Sequence, residues 1–142
     1  MDKDAQSKPR DLETIRRIVS DYARRINAPD VSVFSAPRGD GSPYIEVADD
    51  AYYFVIEERG TELHRRRTTD LDELLYWIFD HVTSSLSSDF ELRHRKPGED
   101  SRRQLFCKHE ALLAQLSPHW GERKAEEHRR IVARHPFNDH LG

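Results

Sequence analysis

Between Ala28 and Thr69 the apolar residues of this chain change period, and that change bounds what it can fold into. Tyr52, Phe54 and Ile56 alternate with Tyr53, Val55 and Glu57. Aromatic and β-branched residues at a spacing of two mark a half-buried strand. A shorter apolar run, residues 44–47, precedes it across Asp49-Asp50, and residues 62–68 follow it across Arg59-Gly60. Connections this short permit only antiparallel pairing. Residues 31–34 also alternate, weakly, ahead of a dense turn signal over residues 37–43. The expectation is a meander of three or four antiparallel strands.

On either side the spacing is helical. Leu12, Ile15, Val19, Tyr22 and Ile26 draw one stripe, bounded by Pro9 and by Asn27-Ala28-Pro29. After Thr69, the pair Asp70 and Glu73 reads as a capping box. Leu71, Leu74, Leu75, Ile78, Val82 and Leu86 form the next stripe, which Tyr76, Trp77 and Phe79 widen into a helix buried on several sides. Ser101 with Gln104 opens a third helix, and Ser117-Pro118 caps a fourth. The fold class is therefore α+β: an N-terminal helix, the antiparallel sheet, then three helices packed on one of its faces. Residues 1–8 read as a flexible tail and residues 9–142 as a single domain.

Composition narrows the function. Hydrophobic residues make up 36% and charged residues 35%, so a thin core carries a densely charged surface. The formal net charge of −3 gives no overall basic field for a polyanion. The lone cysteine, Cys107, can form no internal disulfide and points to a reducing, cytoplasmic setting, where it is expected to be buried and inert. The first residues lack the apolar core of a signal peptide, and no run approaches the roughly 18 apolar residues of a membrane span.

No motif in the chain carries a complete catalytic signature. His109-Glu110 begins like a zincin helix, but Leu113 stands where the second histidine belongs. His128 and His135 are too far apart on one helix to share an ion. There is no serine elbow, phosphate-cradling glycine loop or dinucleotide fingerprint. The reading is of a chain with no catalytic residues, metal or cofactor. The arginines of residues 65–67 fall on a strand, so Arg65 and Arg67 share one face with Leu63 while Arg66 joins Glu62 and His64 on the other. A charged last strand protects an open sheet edge, with cross-strand pairing to Glu57 or Glu58.

One string of residues is more specific than any single motif. It runs from Tyr52 through Arg59-Gly60 to Glu62, Arg66 and Arg67, then from Thr69 to Phe79. It continues in Phe90, Glu91-Leu92, Arg93, Arg95, Asp100, Arg102, Arg103, Phe106 and Trp120, and closes in the terminal run His135 to Asp139. From about residue 44 onward the chain resembles the immunity protein 63 family. The resemblance implies a bacterial cytoplasmic antidote of a polymorphic-toxin or contact-dependent inhibition system, which binds a cognate toxin domain and blocks it without chemistry of its own.

For a basic toxin the partner-binding candidates are Asp49, Asp50, Glu57, Glu58 and Glu62 around the sheet's turns. Arg93, Arg95, Arg102 and Arg103 form a mixed basic rim suited to protein contact. The expected partner is a toxin protein domain rather than a membrane, and the chain itself a monomer or weak homodimer. Two alternatives stay open: a nucleic-acid module using the arginines, with binding that falls steeply with salt, and a small enzyme using His64 or His81 with a carboxylate.

Overall fold

A computed structural model describes residues 8–140. Apart from Lys8, the expected tail lies outside the described residues. The order is α1 (Leu12–Arg25), β1 (Asp40–Val47), β2 (Tyr52–Glu58), β3 (Thr61–Thr68), α2 (Leu71–Arg93), α3 (Ser101–Leu116) and α4 (Pro118–Arg134). This is the α+β order the sequence predicts. The chain forms two compact units; one ends at Ile78 and the other begins at Phe79, so the division falls inside α2.

In the first unit, α1 starts at Asp11, whose carboxylate accepts the Thr14 amide at 2.9 Å; Pro9 lies ahead of the helix rather than in its first turn. Ile15, Val19 and Ala23, four apart, are its buried face. The helix stops because Asn27 turns left-handed (φ 57°) and the Ala28 amide closes on the Ala23 carbonyl at 2.8 Å. Asparagine tolerates that conformation, and the bond satisfies a carbonyl the helix leaves open. The exposed Arg16 donates to the Val33 carbonyl at 2.9 and 3.1 Å and ties the following loop to the helix.

The sheet has the order β1-β2-β3, antiparallel throughout. Three strands form rather than four: among residues 31–34 only Phe34 pairs, in an isolated parallel bridge to Tyr44. Arg59 (φ 51°) and Gly60 (φ 80°) form the two-residue β2–β3 turn. Two successive positive φ angles match the strands' right-handed twist. Tyr44, Val55 and Arg65 share one face by register; Ile45, Phe54 and Arg66 share the other. On the latter, Phe54 meets Trp77 of α2 with ring centroids 6.3 Å apart, and the Arg66 guanidinium lies 5.2 Å from the Trp77 ring.

In the second unit, Asp100 rather than Ser101 caps α3, accepting the Arg102 amide at 3.0 Å. Gln104 turns back to the His94 carbonyl at 2.7 Å instead of closing a capping box. Ser117 caps α4 with Pro118 at its first position, as the sequence predicts. Helices α3 and α4 cross at Gly121, where a Cβ would stand 2.6 Å from Ala114 Cβ. Phe79, Thr83, Ser87, Leu113 and Trp120 are almost wholly buried. Within α2 the small hydroxyls bond backward, Thr83 to the Phe79 carbonyl at 2.7 Å and Ser87 to the Thr83 carbonyl at 2.6 Å, so neither is an orphan polar group.

Candidate partner-binding surface

A bulge decides how the charges of the sheet are arranged. The β2–β3 register pairs Ile56 with His64 but Glu57 with Glu62, so Leu63 is the extra residue. An inserted residue flips every side chain beyond it to the opposite face. Glu62 therefore joins the face of Arg65, not that of Arg66. Arg65 donates to Glu62 at 2.9 and 3.0 Å, and its other guanidinium nitrogen reaches Glu46 of β1 at 2.9 Å. It also lies over the Tyr53 ring at 5.5 Å. The sequence assigns these arginines to Glu57 or Glu58; the structure assigns Arg65 to Glu46 and Glu62, and places Arg67 3.5 Å from Asp50. Arg65 holds the Glu62 carboxyl below its ordinary range.

The five acidic candidates do not form one cluster. Asp49 and Asp50 lie at the β1–β2 turn, and Glu57, Glu58 and Glu62 at the β2–β3 turn. The seven residues of β2 separate these ends by about 20 Å. At the hairpin end, Asp40 pairs with Glu58 and adds a fourth carboxylate. The Tyr44 hydroxyl donates to Glu57 at 3.4 Å. The result is an acidic tip on a sheet whose opposite end carries Arg67 beside Asp50.

The basic candidates belong to the second unit, where three of the four are engaged within the chain. Arg95 donates to the buried Glu91 at 2.8 and 3.0 Å. Arg102 binds Asp100 at 2.9 Å and reaches the carbonyls of His135 and Pro136, at 2.8 and 2.9 Å. Arg103 takes Asp139 at 2.9 Å and lies 4.2 Å from the Phe137 ring. Asp100 also accepts the Asn138 amide, and its own amide donates to Asp139. The Arg102 guanidinium, with the Asn138 and Arg102 amides, holds the Asp100 carboxyl well below the usual carboxylate range. Arg102 and Arg103 thus lace the chain end onto α3. Arg93 is exposed in the last turn of α2.

His64 accepts from Arg66 at 2.9 Å on β3, and His81 is exposed on α2. Cys107 is exposed, not buried, because it falls on the outer side of α3 between the half-buried Phe106 and Lys108.

The sequence reading did not find the buried polar cluster of the second unit. Lys124, 3% exposed, places its ammonium 2.8 Å from Asp80 and 3.1 Å from Glu127. His109 Nε2 lies 3.0 Å from the same Asp80 oxygen. Burial alone would raise the Asp80 pKa, but His109 and Lys124 outweigh it and hold it at about 2. His128 stacks on Phe106 at 3.8 Å and contacts Glu110 at 2.7 Å; burial pushes its pKa down, against the pull of Glu110. The sequence signal was available: Trp120, Lys124 and His128 fall four apart on the inner face of α4. Among the described residues no group of three or more His, Cys, Asp or Glu is arranged to hold a metal ion. No helix among them is long and apolar enough to cross a membrane.

The family model for immunity protein 63 matches residues 49–130, from the β1–β2 turn to the last turns of α4. The chain belongs to the immunity protein 63 family. No curated protein and no solved structure matches it. In this immunity protein 63 member the match takes in the hairpin, the arginines of β3 and the buried cluster. The laced segment after α4 lies beyond it.

Proposed function

We propose that this chain is the immunity protein of a bacterial toxin system: in the cytoplasm it binds a cognate polymorphic or contact-dependent toxin domain and neutralises it, without catalysis of its own. Family membership carries the reading. The physical setting agrees with it, since charged residues make up 35% of the chain.

Residues 9–142 act as one immunity domain, as a monomer or weak homodimer. Partner contacts are drawn from Asp49, Asp50, Glu57, Glu58 and Glu62 in the first unit and, separately, from Arg93, Arg95, Arg102 and Arg103 in the second. The acidic tip is the stronger part, because Asp40, Glu58 and Glu62 are exposed there and can steer a basic partner. The arginines other than Arg93 first hold their own chain together. Charge complementarity speeds capture, and a few anchors hold the complex.

The experiment is co-expression with the C-terminal domain of whatever protein the reading frame immediately upstream encodes. Rescue of growth, and a stable complex on purification, are expected. Growth arrest that the chain does not relieve refutes the reading.

A further inference from the structure

The far edge of β3 is unpaired among the described residues, and its backbone polarity can be worked out. The Ala48 amide donates to the Ala51 carbonyl at 2.8 Å, so Ala51 faces β1. Antiparallel ladders alternate residue by residue, so Tyr53 and Val55 also bond toward β1 while Tyr52 and Phe54 bond toward β3. Their register partners are Thr68 and Arg66, which turn their backbone groups into the sheet. Arg65 and Arg67, opposite Val55 and Tyr53, turn theirs outward.

The side chains decide what such an edge can accept. The bulge at Leu63 distorts the first half of β3 and leaves residues 65–68 in regular register. Any antiparallel pairing of this half with the same half of a second copy bonds Arg65 or Arg67 to Arg65 or Arg67. Like charges directly opposite destabilise a sheet, so the edge rejects its own kind. A strand with carboxylates at alternate positions meets the opposite situation. Its acids fall opposite Arg65 and Arg67, on the face they share with Tyr53. Arg65 already has Glu46 and Glu62, but Arg67 is 51% exposed and its ion pair to Asp50 is long, at 3.5 Å.

We infer that the outer edge of β3 over residues 65–68 is a docking strand, to which the partner adds an extended acidic segment. Strand addition takes affinity from main-chain hydrogen bonds and selectivity from alternate side chains. This rests on the toxin-binding reading, whose partner would then present a basic surface to the acidic tip and an acidic strand to the arginine edge.

The test uses residues 1–142 and the candidate toxin domain of the co-expression experiment. Arg67→Pro removes an outward amide without touching the bonds to β2, which edge strands tolerate. Arg67→Glu inverts the charge and keeps the amide. Each is expected to weaken the complex at least tenfold, while Arg130→Glu on α4 leaves affinity unchanged. Hydrogen exchange supplies a readout independent of folding in the variants: in the wild-type complex the Arg65 and Arg67 amides should slow at least tenfold. Wild-type binding with unslowed amides, or with both Arg67 variants at full affinity, overturns the docking strand and leaves the toxin-binding reading standing. A dimer of the free chain that Arg67→Glu abolishes also overturns it. Failure of the wild-type chain to bind the toxin domain removes both.

Discussion

Replacing Gly121 by alanine should reverse the usual sign of that substitution. In a helix interior Gly→Ala normally stabilises by about 1 kcal/mol, through backbone entropy. Here the new Cβ would stand 2.6 Å from Ala114 Cβ, 2.9 Å from its Cα and 3.2 Å from its nitrogen. Non-bonded carbons are comfortable at about 3.5–4.0 Å, so α3 and α4 must separate by roughly 1 Å at the crossing. Two of the opposing atoms are backbone and cannot rotate away. Overpacking of this kind costs about 1–3 kcal/mol, and the shift also strains Lys124 and His128, on the same helix. We expect a net loss of about 1–2 kcal/mol. In urea, followed by far-ultraviolet circular dichroism, the midpoint should fall by roughly 0.5–1 M. Ala114→Gly in the same chain removes the opposing methyl and should recover part of the loss. An unchanged or raised midpoint in Gly121→Ala alone would show that the crossing is looser than described, and the reasoning fails.

Acidification should weaken the second unit in two stages. His128 has a lowered folded pKa, so its contribution is complete above the unfolded value near 6.5 and is lost as pH falls through the folded value; His128→Gln should flatten that stage of the urea midpoint against pH. Asp80 is likewise lowered, so its contribution holds above about 3.8 and fades toward pH 2, worth about 2 kcal/mol, and Asp80→Asn should remove that stage. Asp100→Ala should unlace residues 135–139 and speed tryptic cleavage after Arg134, with the α3–α4 crossing left in place; cleavage at the wild-type rate would show that Arg103 and Asp139 suffice. Cys107 should react stoichiometrically with a thiol reagent under native conditions, where a buried thiol would wait for denaturant.

Local chemistry alone determined the elements. The switch from a period of four to a period of two and back places α1, the hairpins and α2. Ser117-Pro118 starts α4 where it does because both its cap and its first residue are local devices. The helix starts that were misassigned show the limit of this. Asp11 and Asp100 displace Pro9 and Ser101 because an aspartate one or two residues away competes for the same amides, and only the backbone path settles which wins. The family resemblance was legible too, since it lies in residue identities.

Tertiary structure decided which charges meet. One bulged residue, Leu63, moves Glu62 to the face of Arg65, and no pattern in residues 62–67 announces it. Arg65 reaches Glu46 from two strands away, Arg103 reaches Asp139 across 36 positions, and Lys124 finds Asp80 only because α2 and α4 come together. A spacing rule sees along one element; an ion pair depends on the distance between two of them. That is why the sequence by itself yields the strands, helices and family, whereas the acidic tip, the open arginine edge and the buried lysine exist only once the chain is folded.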